Sequence, residues 1–417
     1  MHHFHYKGKE LYAEEVPLSK IAKEVRTPCY IYSQATLTHH FHVFDHAFKE
    51  IPHLTCYSVK ANSNIALLRL FASLGGGADV VSGGELFRAL RAGVLPKKIV
   101  FSGVGKTEEE IKMAIEAGIL MFNVESEAEL ETIEDVAKRL GKKAPIALRV
   151  NPDIDPKTHP YISTGLKKHK FGIEMKKAKE LYLRAQKMHH IEVIGIDCHI
   201  GSQVTSLAPF LNALERVKIL WHELEERGIK LKYLDMGGGL GIPYHNEEPP
   251  HPKEYAKAII EAAKDLNCTL IFEPGRVIVG NAGILLIKVL YLKKTSEKQF
   301  VIVDGAMNDL IRPSLYDAYH EIKPVIQNNK KIIADVVGPV CETTDFFAKD
   351  REIPFVKKGD LLAIMSAGAY GFVMSSNYNS RLRPAEVLVN GEKYWIIRHR
   401  ESYEDLVRLE EIPTWLG

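Results

Sequence analysis

Between Ala35 and Glu273 the chain alternates short β-prone apolar runs with longer amphipathic ones, eight of each. The pattern predicts strands at Leu54–Lys60, Ala78–Ser82, Ile99–Ser102, Met121–Glu125, Ile146–Asn151, Val193–His199, Tyr233–Gly237 and Thr269–Glu273. Helices are predicted at Ala35–Glu50, Ile65–Leu74, Gly84–Ala92, Glu108–Ala117, Glu127–Leu140, Lys176–Met188, Leu207–Arg227 and Lys253–Leu266. Eight alternating units close into a parallel (β/α)8 TIM barrel rather than an open doubly wound sheet. Past Gly283 no long helix intervenes. Strand-like runs follow at Ile284–Tyr291, Phe300–Asp304, Ile332–Val336, Leu361–Met365, Glu386–Val389 and Tyr394–Ile397, the last two joined by an Asn390-Gly391 turn. The reading is α/β: a barrel over 34–282, a mostly-β domain over 283–417, and an arm over 1–33. A strand at Pro28–Ser33 in that arm is expected to pair into the β domain.

Length and charge narrow the function. A chain of 417 residues with a formal charge of +2 is not a dedicated binder of nucleic acid or anionic membrane. Its apolar runs are strand-sized, and Met1-His2-His3-Phe4-His5 has no apolar signal core. The five cysteines (Cys29, Cys56, Cys198, Cys268, Cys341) are odd in number and lack C-x-x-C spacing, which predicts reduced thiols in a cytoplasm. The early histidines (His2, His3, His5, His39, His40, His42, His46) have no interleaved acidic or cysteine partners. They read as a solvated arm and helix face, so no metal is expected.

In a barrel of this kind chemistry gathers at the C-terminal strand ends. Those ends carry Lys60, Asp79, Ser82, Ser102, Glu125, Arg149, His199, Gly237 to Gly239, and Glu273 to Arg276. Lys60 sits where a strand hands over to a helix that Asn62 or Ser63 could cap. Alone, a lysine there is more often solvated, and an isolated His199 is more often structural. Gly237-Gly238-Gly239-Leu240-Gly241 is no dinucleotide fingerprint, and Gly105-Lys106-Thr107 is no P-loop. A triple glycine does let backbone N–H groups approach an anion closely, although a flexible turn would read the same. With Gly201-Ser202 and Glu273-Pro274-Gly275-Arg276 it forms a phosphate cradle over three neighbouring strand ends. A lysine, a phosphate cradle and a carboxylate together point to pyridoxal 5'-phosphate, with Lys60 as its covalent anchor and Glu273 at the pyridine nitrogen.

Several stretches are more specific: YSVKAN (57–62), GGADVVSGGEL (76–86), FSGVGKT (101–107), HIGSQ (199–203), DMGGGLGI (235–242), EPGR (273–276) and GPVCETTDFFA (338–348). In this order, across nearly the whole chain, they resemble the diaminopimelate decarboxylases, a family of fold-type III pyridoxal enzymes with a barrel of the alanine-racemase type. The resemblance implies that Lys60 holds the cofactor, Asp79 lies beside it and His199 stacks on it. It implies that Ser202, Gly239 and the turn Gly275-Arg276 hold the phosphate, that Gly238 and Pro274 also line the cofactor, and that Glu273 meets the ring nitrogen. It places Arg276, Arg312, Tyr316 and Glu342 on the substrate and closes Tyr370 over both. Catalytic roles fall to Lys60, His199 and Cys341, with Cys341 and Glu342 entering from the partner in a homodimer. The implied reaction is decarboxylation of meso-2,6-diaminopimelate to L-lysine, the last step of lysine biosynthesis. A substrate with an amino-acid head at its far end needs both charge signs there, and Arg276, Arg312 and Glu342 supply them. A thiol such as Cys341 can return a proton after carbon dioxide leaves, although a lone cysteine reads first as a small buried hydrophobe. An ornithine, arginine or carboxynorspermidine decarboxylase of the same fold, or a non-catalytic binding relative, stays open at this point.

Overall fold

The computed structural model describes residues 2–154 and 170–417. Two compact units emerge: Thr38–Ile278, and Met1–Leu37 together with Val279–Gly417. The division falls a few residues from the 33/34 and 282/283 boundaries read from sequence.

The first unit is the barrel. Its strands are His53–Ser58, Gly77–Val80, Ile99–Phe101, Met121–Val124, Ala144–Asn151, Ile191–Asp197, Tyr233–Asp235 and Thr269–Phe272. Each pairs parallel with the next, and Thr269–Phe272 pairs back onto His53–Ser58, which closes the ring. Most strand residues are buried because helices cover the outer face and packed side chains fill the inner one. The sequence sets the helix ends. Thr107 and Glu110 form a capping box before Glu108–Ala117, and Gly118, at φ +70, ends that helix in the left-handed region. Two details differ from expectation. The first strand stops at Ser58, so Lys60 lies in a one-turn 3-10 helix, Val59–Ala61. The next helix is capped by Asn64, whose side chain accepts from Ala66 N at 3.0 Å, rather than by Asn62 or Ser63. A short strand, Ile173–Glu174, also pairs with Ala144–Asn151.

In the second unit one sheet runs in the order Phe346–Pro354, Lys331–Val337, Gln299–Val303, Gly283–Lys294, Cys29–Ser33, Ala385–Asn390, Lys393–Arg398. Cys29–Ser33 is wholly buried, antiparallel to Gly283–Lys294 and parallel to Ala385–Asn390. Phe4–Lys7, Glu10–Ala13 and Val16–Pro17 form a separate three-stranded sheet. Its Phe4, Leu11 and Val16 share a core with Ile31, Leu286 and Val387. In the last hairpin Asn390 pairs with Lys393, and Gly391 takes φ +58 in the turn between them. Among the described residues no helix is long and apolar enough to cross a membrane.

Candidate active site

The turn Val59–Ala61 lifts Lys60 out of the first strand at the barrel's C-terminal rim. Lys60 Nζ lies 2.7 Å from Oδ2 of Asp79, at the end of the neighbouring strand. Ser58 donates to the same oxygen at 2.7 Å. Asp79 is fully buried and the lysine about one-third exposed, so the carboxylate anchors the amine from inside the barrel. Asp79 Oδ1 is buried without a hydrogen-bond partner among the described residues.

Below this pair the barrel encloses an acidic cluster. Carboxylate oxygens of Asp197, Asp235 and Glu273 lie within 4.8 Å of one another, all buried. Asn123 Nδ2 reaches Ser102 Oγ at 3.1 Å, Asp235 Oδ2 at 3.2 Å and Glu273 Oε1 at 3.4 Å. Ser102 Oγ donates to Glu273 Oε1 at 3.2 Å. Burial, then neighbouring carboxylates, raises Asp235 and Glu273 above the ordinary carboxylate range, so the cluster retains protons. Burial works against the charge of Arg149, but Glu125, Asp197 and Glu273 outweigh it. Its guanidinium bonds Glu125 Oε1 at 2.7 Å and approaches Asp197 Oδ2 at 3.9 Å. A cation drawn to these carboxylates would compete with Arg149 and Asn123, which already supply charge and donors.

The glycine cradle follows from backbone crowding. A Cβ on Gly238 would stand 2.2 Å from the Glu273 carbonyl, and one on Gly239 would meet Gly201 O at 2.6 Å. Gly237 and Gly239 take φ +63 and +118, which favours glycine. A Cβ on Gly275 would press on the Ser58 and Ala61 Cβ atoms at 3.0 Å. Gly238 N donates to His199 Nδ1 at 3.1 Å, which makes that nitrogen an acceptor. Burial, then the charges of Arg149 and Lys60, pushes His199 well below its ordinary pKa, so the ring is neutral. Arg276, after Pro274-Gly275, gives one guanidinium nitrogen to Ser202 Oγ at 3.0 Å and the other to Tyr244 at 2.8 Å.

Thus Lys60 joins Asp79, Ser202 joins Arg276, and His199 joins the glycine turn. Ser58, Asn123, Asp197, Asp235 and Tyr244 complete the constellation, and sequence reasoning passed them over. The available signal was a single polar residue inside an apolar strand, as at Asn123 in Met121–Val124.

The other expected groups lie in the β unit. Arg312 is buried, its Nε 3.3 Å from His320 Nε2 and its guanidinium 6.0 Å from the Tyr316 ring centre. Tyr370 takes φ +55 in the Gly368–Gly371 turn. Cys341 and Glu342 are exposed. Tyr378 and Thr344 donate to the Glu342 carboxylate at 2.7 and 2.9 Å, which lowers its pKa.

Residues 34–280 match the family described as pyridoxal-dependent decarboxylase, pyridoxal binding domain. The diaminopimelate decarboxylase of Vibrio cholerae is 53% identical over 417 residues, spanning 99% of each chain. A crystal structure of the Helicobacter pylori diaminopimelate decarboxylase complexed with L-lysine has a TM-score of 0.92 at 47% identity, covering 94% of this chain and 99% of that one. The M. jannaschii enzyme in co-complex with L-lysine has a TM-score of 0.95 at 42% identity, with 99% of each chain covered.

Proposed function

The chain belongs to the diaminopimelate decarboxylases, and from that premise we propose how its residues convert meso-2,6-diaminopimelate to L-lysine and carbon dioxide with pyridoxal 5'-phosphate. The observation that carries the proposal is the Lys60–Asp79 pair, 2.7 Å apart at the barrel rim. The cofactor fits the residues present. Gly237 and Gly239 hold left-handed backbone in the turn beside His199, and Ser202 and Arg276 converge as polar and cationic donors. Lys60 would hold it covalently, Ser202, Gly239, Gly275 and Arg276 would take its phosphate, Gly238 and Pro274 would line it, and neutral His199 and Tyr370 would pack against it. Bound there, pyridoxal phosphate supplies an electron sink for the charge left when carbon dioxide departs.

The chain's own residues do the rest. Asp79, 2.7 Å from Nζ, orients the Lys60 amine for that link. Glu273, held by Ser102 and Asn123, retains a proton and can share it with a ring nitrogen. Arg276, Arg312 and Tyr316 would meet substrate carboxylates, and Glu342 the far ammonium. The Cys341 thiol would return a proton to the carbon that lost its carboxylate. Cys341 and Glu342 would come from the partner subunit of a two-fold dimer. Their exposure supports this reading, because a proton donor in bulk water gains nothing from its surroundings. All five cysteines are free thiols, which supports a reducing cytoplasm.

The test is lysine formation from meso-diaminopimelate by the purified protein, with and without added pyridoxal phosphate. Ornithine, arginine and carboxynorspermidine serve as competing substrates. Cofactor-dependent lysine release is expected. Preferential turnover of a diamine precursor, or no turnover, would overturn the reading.

A further inference from the structure

In the β unit, residues 375–381 reach two adjacent side chains onto two adjacent residues of the 338–345 loop. Asn379 Oδ1 accepts from the Cys341 backbone N–H at 2.8 Å. The Tyr378 hydroxyl donates to Glu342 Oε2 at 2.7 Å, while Thr344 holds Oε1 at 2.9 Å.

Both loops are braced from beneath. Ser376 N donates to Asn308 O at 2.9 Å. Arg381 binds Asn308 Oδ1 at 3.2 Å and Asp304 O at 2.7 Å, and Asn377 donates to Glu401 at 2.6 Å. The 338–345 loop folds around buried Asp345, whose carboxylate accepts from Val340 N and Met307 N, each at 2.7 Å. At the point of contact Asn379 and Ser380 both take left-handed backbone, φ +55 and +51. Two such non-glycine residues in succession cost free energy and persist where surrounding contacts over-determine them. A solvent-facing loop without a positional task has no need of this arrangement.

We propose that Tyr378 and Asn379 are positioning residues for the decarboxylation. Asn379 fixes the backbone that carries the Cys341 thiol, and Tyr378 fixes the Glu342 carboxylate for an ammonium group. An exposed glutamate samples many rotamers, and ordering it in advance removes that cost from substrate binding. With Tyr378 and Thr344 each holding one oxygen, the lone pairs left over face a ligand in a set direction. This rests on the reading of Cys341 and Glu342 as active-site groups.

The experiment uses holoenzyme variants. Tyr378→Phe deletes one hydroxyl, Asn379→Gly keeps the left-handed backbone easy and deletes the amide, and Asn379→Asp keeps the acceptor. Cys341→Ser and Glu342→Gln are references. Tyr378→Phe should raise KM for meso-diaminopimelate about tenfold, the scale of one hydrogen bond to a charged group, with kcat little changed. Asn379→Gly should lower kcat about tenfold with KM little changed, and Asn379→Asp should restore most of it. A neutral thiol reagent gives a readout independent of turnover. Cys341 is the exposed thiol, Cys268 is half-buried and the other three are buried. Labelling of Cys341 should quicken in Asn379→Gly and not in Tyr378→Phe. Near-wild-type kinetics in Tyr378→Phe and Asn379→Gly beside crippled references would overturn the proposal and leave the site reading standing. Equal losses in Asn379→Gly and Asn379→Asp would also overturn it, by making the residue structural. Wild-type kinetics in both references would refute the site reading, and the positioning roles with it.

Discussion

The barrel unit and the β unit hold their chemistry in opposite ways. In the barrel, Asp79, Asp235 and Glu273 are buried, and each is held by a side chain from another strand or by neighbouring backbone. In the β unit, Cys341 and Glu342 stand exposed on a loop, fixed by other loops. Burial lets the barrel set protonation states, because low dielectric penalises charge and neighbouring carboxylates compound it. Exposure gives the β unit no such lever, and Glu342 is lowered by its hydrogen bonds from Tyr378 and Thr344 instead. A closed barrel supplies its own enclosure, whereas the loop that carries Cys341 and Glu342 leaves both exposed.

The sharpest break of this contrast is Lys60→Ala. Only an amine at that position can form the covalent link, so turnover should fall by at least about a thousandfold. The absorption band of the lysine-bound cofactor should vanish as well. An active variant with its band intact would remove Lys60 from the mechanism.

Glu273→Gln tests whether burial tunes the barrel site. The carboxamide keeps shape and hydrogen bonding but cannot pass a proton to a ring nitrogen. The expected loss is about a hundredfold in kcat with KM little changed, because the interaction matters most in the transition state. A rise in KM alone would contradict the assigned role.

The proposed dimer, with Cys341 serving the partner's site, is tested by mixing. Lys60→Ala and Cys341→Ala homodimers should each be nearly inactive. In a mixed dimer one site carries both lesions and the other neither, so random exchange should restore roughly a quarter of wild-type activity. No recovery despite demonstrated subunit exchange would place Cys341 in its own chain's site or outside the site.

The same contrast explains what the sequence could reveal. The barrel was legible because parallel strands covered on both faces read as apolar runs, and the helices between them carry caps. Lys60, Asp79, His199, Glu273 and Arg276 were legible because they stand at or just beyond strand ends. Asn123 was not, being one polar residue inside the apolar strand Met121–Val124, and Asp197 and Asp235 were not because they end their strands two residues before the ends predicted at His199 and Gly237. Only ring closure brings them together. Phe346–Pro354 escaped notice because its Lys349-Asp350-Arg351-Glu352 stretch reads as a loop, whereas on an edge strand such charges deter stray pairing. Tyr378 and Asn379 carry no motif. Their placement depends on two left-handed residues that no periodicity encodes.

The smallest effect concerns stability rather than rate. Burial and then Asp197 raise Asp235 in the folded barrel above its ordinary carboxylate range. A carboxyl raised in this way binds its proton more tightly folded than unfolded. Its contribution to stability is complete below the unfolded value of about 4 and is lost as pH rises toward the folded one, at up to ~1.4 kcal/mol per pH unit for one proton. Cofactor-free protein should therefore melt at progressively lower temperature between about pH 5 and about pH 7. Asp235→Asn removes one of these protons from the balance and should flatten the decline. The change is tolerable inside the barrel. Gly237 N, which donates to Asp235 Oδ1 at 2.9 Å, finds the same acceptor in the amide. Asn123 Oδ1, buried without a hydrogen-bond partner among the described residues, can turn to accept from the new NH2 group. Glu273 shifts in the same direction, so a residual slope should remain. Thermal unfolding followed by circular dichroism at several pH values decides the matter. Identical slopes in the two proteins would mean that Asp235 is ionised in the folded barrel, and its part in the proton-holding cluster would have to be abandoned.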